Sequence, residues 1–149
     1  MDNNNTLSIG STFGSISGII TSLGAIIGMY GANLPSKPII ISLVSIAMSD
    51  SISDALGIYY GVNVEEDNQE SFNQASRAFI AKFLFPLLMV IPFLLLEKSN
   101  AVMVNLLCGL TVVLVVSSSV FKKQTEIITN MLIVLIAIIL IYNVGKKLQ

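Results

Sequence analysis

Long apolar runs separated by short polar breaks organise this chain. A helix needs roughly 20 apolar residues to cross a bilayer. Five runs reach that length, over residues 7–32, 38–61, 77–96, 101–121 and 125–145. They predict five transmembrane helices forming a single transmembrane domain over residues 1–149. Pro35 and Pro38 separate the first two spans, with Ser36 placed to cap and Pro38 in the first turn, where its missing N–H costs nothing. Pro86 and Pro92 lie inside the third span and predict a kink whose freed carbonyls need other partners. Residues 97–100 and 122–125 form short turns, while residues 62–76 read as an acidic connecting loop.

Composition fixes the class. With 54% hydrophobic residues, 11% charged residues and a mean hydropathy of +0.82, the chain is too apolar for a soluble core to hide. We therefore expect an all-α, multi-pass integral membrane protein whose main surroundings are the lipid bilayer. The polar start at Asp2, Asn3, Asn4 and Asn5 lacks the basic region of a cleavable signal, so the first span is expected to remain. An odd number of spans places the termini on opposite sides. Arg77, Lys82, Lys122 and Lys123 then balance Lys37, Lys98, Lys146 and Lys147, and orientation is left open. The few, dispersed basic residues give no reason to expect nucleic-acid binding.

Residue usage narrows the chemistry further. Cys108 is the single cysteine and there is no histidine, which excludes an intrachain disulfide, histidine-based zinc or haem ligation and Ser-His-Asp chemistry within one chain. No nucleophile–base pair or metalloprotease motif points to an enzyme. A bound ion would draw on carboxylate, amide, hydroxyl, carbonyl or methionine sulfur, a set suited to Mg, Mn or Fe(II).

Two acids inside the second span carry the main functional signal. A carboxylate at bilayer depth costs at least a few kcal/mol and marks ion, proton or substrate handling unless it is simply paired. Asp50 and Asp54 share a helical face with Gly57 and Gly61, beside a stripe of Ser42, Ser45, Ser49 and Ser53, with Met48 offering sulfur nearby. Lys82 in the third span should lie at the depth of Asp54, roughly 8 to 10 Å from one surface, as its ion-pair or proton partner. Asp50 should lie about 6 Å deeper, with no cation at its level.

Glu65, Glu66, Asp67 and Glu70 in the connector are either a cation-capturing mouth or a solvated acidic loop. Gly10, Gly14, Gly18, Gly24 and Gly28 give the first span a small-residue pattern for close helix packing, within a protomer or at a homodimer seam. Asn105 and Asn130 read as interhelical hydrogen-bonding groups. Asn130 is expected in the layer of Asp54 and Lys82.

The five spans, the glycine-rich first helix with its Phe13–Gly18 segment, the second-span string from Ser51 to Tyr60 and Pro86 in the third span resemble the vacuolar iron transporter family. That resemblance implies a homodimer with an ion path between first and second helices at the dimer axis. It also implies Fe(II) or Mn(II) transport in exchange for protons, with no permanently bound cofactor. Matching Ser53, Gly57 and Tyr59 to the family pattern places Asp54 at its pore methionine and Ile46 at its pore glutamate. The first-helix aspartate falls near Leu7, and the family's long metal-binding domain is replaced by residues 62–76.

The expected transport path accordingly runs over Asp50, Asp54, Ser49, Ser53 and Met48 from two copies. Close carboxylates repel, so one should hold a proton until metal arrives. The contrasting expectations are a membrane scaffold that keeps the fold without metal ligands, and a proton or monovalent-ion pathway through Asp50.

Overall fold

A computed structural model describes residues 9–63 and 68–149. Five helices follow in order: α1 (Ile9–Gly31), α2 (Ser36–Asn63), α3 (Asn68–Leu95), α4 (Lys98–Val120) and α5 (Gln124–Lys147). Each is long and apolar enough to cross a membrane, which fits a multi-pass integral membrane protein. The largest difference from the sequence expectation is at α3, which begins at Asn68, so most of the expected 62–76 loop is helical. The reason is a polar but well-packed first stretch. Ser71 and Ala75 are buried, and the Gly10 backbone N–H donates to Gln74 Oε1 at 2.9 Å.

Helix α1 is the hub, packing against all four other helices. Its glycines explain how. A Cβ on Gly10 or Gly14 would lie under 3.0 Å from backbone atoms of Gln74 or Ala78, while one on Gly18 would meet Lys82 Cα at 3.2 Å. The matched steps of four residues along both helices make α1 and α3 parallel neighbours in near-backbone contact. Farther along α1, Gly28 and Gly31 receive α5 at Gly145 and Tyr142. The glycine stripe is thus consumed inside the protomer, and a second copy would have to use another face.

Around α1 the core is built from Ile19, Leu23, Ile26, Leu43, Phe93 and Val113. Helix α2 packs chiefly on α3 and α1 and stands at one edge of the bundle. Its outward side carries Met48, Ser49, Ile52, Ser53, Leu56 and Gly57.

The turns are closed by specific groups. Asn33 adopts φ 56°, with Asn33 N–H donating to Tyr30 O and Leu34 N–H to Met29 O at 2.9 Å each, a Schellman ending of α1. Lys98 Nζ then ties the α3–α4 turn to this one through Asn33 Oδ1 and Leu34 O. In α3, Asn105 of α4 donates to Met89 O at 3.0 Å, beside the Leu88 carbonyl that Pro92 deprives of its usual donor.

Candidate functional site

The parallel α1/α3 seam determines where Lys82 goes. Gly18 has no side chain, so the Lys82 stem lies directly against α1 and its ammonium turns toward α2. Lys82 is 2% exposed. Its Nζ donates to Asp54 Oδ2 and to Ser17 Oγ at 2.8 Å, and lies 3.4 Å from Asp50 Oδ2. Ser17 Oγ in turn donates to Asp54 Oδ2 at 3.0 Å. Three helices therefore converge on one ammonium.

This geometry corrects one expectation and extends another. Asp50 is not without a cation, because the four-carbon lysine stem lets one Nζ reach between carboxylates a helical turn apart. Ser17 completes the group, and the sequence reading missed it. Its signal was its position on the stripe of Gly14 and Gly18, three residues after one and adjacent to the other.

Charge is the site's defining property. With both acids ionised, two carboxylates face one ammonium and the cluster carries one surplus negative charge. The Asp50 side chain is 39% exposed and that of Asp54 23%, so the surplus lies on the outward side of the bundle. In hydrocarbon such a charge requires a proton, a further cation or a polar partner.

The other expected residues are placed differently. Met48, Ser49 and Ser53 are exposed on the outward face of α2 and do not join the lysine in the protomer. Ser49 satisfies its hydroxyl locally by donating to Ser45 O at 2.8 Å. Glu70 is exposed at the start of α3, where it accepts from Gln74 Nε2. Glu65, Glu66 and Asp67 lie outside the described residues. Among the described residues no three acids or cysteines gather into a metal-binding group.

Asn130 donates to Ser117 Oγ at 2.6 Å. Both line a cleft of ≈ 510 Å³ between α1, α4 and α5 that also includes Ser17, so the cleft and the ion cluster meet at that hydroxyl.

Comparisons with family models, with curated proteins and with solved structures find no match. The likeness to vacuolar iron transporters therefore rests on the short motifs alone.

Proposed function

We propose that this protein moves cations across a membrane in exchange for protons, with Asp50, Lys82 and Asp54 as the exchange station. The supporting observation is the surplus of one carboxylate over ammonium within helices long and apolar enough to cross a membrane. A proton or a cation arriving at Asp50 neutralises the cluster, and its departure restores the charge. Lys82 acts as a tethered counter-ion that keeps the empty site from carrying two uncompensated charges.

Divalent iron or manganese is the cargo implied by the family resemblance. One protomer offers such an ion too few oxygens, because Lys82 already occupies the space between the acids. A second copy docked along the exposed Ser45, Ser49, Ser53 and Gly57 stripe would add the partner's carboxylates and hydroxyls and make the dimer the working unit. The test is equilibrium binding: Mn(II) added to purified, weakly buffered protein should release protons, and Asp50→Asn should abolish the release. Mn(II) binding with no proton release would refute the exchange.

One observation favours a second reading, a scaffold without transport. Lys82 bonds to Asp54 and Ser17, which is also how a structural ion pair is secured. On that reading neither the wild type nor Asp50→Asn moves cations.

A further inference from the structure

The cleft between α1, α4 and α5 is mostly apolar, with polar side chains in its lining. Ile16, Val116 and Phe121 give it apolar walls, while Ser17, Ser117 and Asn130 give it a polar side. Ser17 Oγ accepts one hydrogen bond, from Lys82, and donates one, to Asp54, which leaves a lone pair for a further donor. Asn130 uses its amide N–H on Ser117, and among the described residues no donor meets its carbonyl oxygen. With both acids ionised, the cluster behind Ser17 is one positive charge short of neutrality.

An apolar molecule ending in a protonated primary amine matches these three features together. We propose that the cleft binds an amphiphilic primary ammonium ion, with its hydrocarbon body between α1, α4 and α5 and its N–H groups directed to Ser17 Oγ and Asn130 Oδ1. Lys82 already shows the chemistry, since its alkylammonium is held by a serine hydroxyl and carboxylates. With a second ammonium the count becomes two positive charges against two negative. A hydrated metal ion suits the cleft less well, because the apolar walls replace none of its water ligands. The inference rests on the reading of the cluster as a cation station and names an organic cargo for it.

The experiment uses the full chain in phosphatidylcholine nanodiscs, which contain no primary ammonium lipid. A naphthylpropylammonium probe and the alcohol of the same shape are titrated by fluorescence. The ammonium should bind at least tenfold more tightly. Val120→Trp, which fills the mouth of the cleft from a half-exposed position, should abolish binding while helical content stays unchanged. Asp50→Asn should bring the ammonium down to the affinity of the alcohol. Equal affinity for the two probes in the wild type overturns the proposal, as does binding that survives Val120→Trp. Loss of probe binding when phosphatidylethanolamine replaces phosphatidylcholine would show the lipid's own primary ammonium competing for the cleft, which supports the proposal and names a lipid headgroup as the source. Probe binding unchanged by that lipid, with the ammonium still preferred over the alcohol, points to a free amine instead. Mn(II)-driven proton release, measured in the same nanodiscs, separates the two claims. If it persists when ammonium selectivity is absent, the amine site fails and the cation station stands.

Discussion

Lys82 on α3 donates to Asp54 on α2 from a position where its stem lies against the bare backbone of Gly18 on α1. The charge pairing thus depends on a packing feature of a third helix. A glycine with no chemistry of its own sets the place of the buried Lys82 ammonium.

Removing that ammonium is expected to be costly. Lys82→Met leaves two acids facing hydrocarbon and should destabilise the fold by roughly 3 kcal/mol, the scale for breaking a buried pair. Adding Asp54→Asn should recover much of the loss. Thermal unfolding in detergent checks both, and a double variant no more stable than Lys82→Met would show that the pair is not coupled.

The glycines should divide into two classes. Gly14→Ala places a methyl group against the Ala78 backbone and should destabilise by about 1–3 kcal/mol, as overpacking does. Nothing lies within 4 Å of a Cβ at Gly57. Gly57→Ala should leave the monomer as stable or raise its stability by up to about 1 kcal/mol through helix propensity. The comparison is read from unfolding of the two variants in the same detergent.

Much of this architecture was legible in the sequence because membrane spans are written in long apolar runs. All five spans fall within a few residues of their expected places except α3. Its first two turns are polar, and hydropathy does not register burial of Ser71 or the bond between Gln74 and Gly10. The site was half legible. Asp50, Asp54 and Lys82 stand out as charges in apolar surroundings. Ser17 does not, since one serine among several in α1 acquires its role only when the α1/α3 register brings it to Lys82. Depth counted along separate helices also assigned Lys82 to one aspartate, whereas the reach of its side chain serves two.

A dimer across α2 has its own signature. With Cys108 replaced by serine, Ser49→Cys should form a symmetric disulfide under mild oxidation. Ser49→Leu should lower the dimer fraction without changing protomer stability. An unaltered dimer in Ser49→Leu would move the interface away from this stripe.

Asn105 is expected to act in the fold alone. It is 2% exposed and supports the α3 backbone near Pro92. Asn105→Leu should cost about 1 kcal/mol, in line with interhelical hydrogen bonds in membranes. Ion binding should be unaffected, a combination that thermal unfolding and Mn(II) titration can separate from a role in the path.

The surplus carboxylate at Asp50 is proposed to exchange protons for cations. The most direct test is uptake of Fe(II) and Mn(II) into proteoliposomes loaded with a pH-sensitive dye, comparing wild type with Asp50→Asn. Metal entry accompanied by internal pH change is expected in the wild type and neither in the variant. Metal entry and pH change that persist undiminished in a folded Asp50→Asn protein would contradict that role.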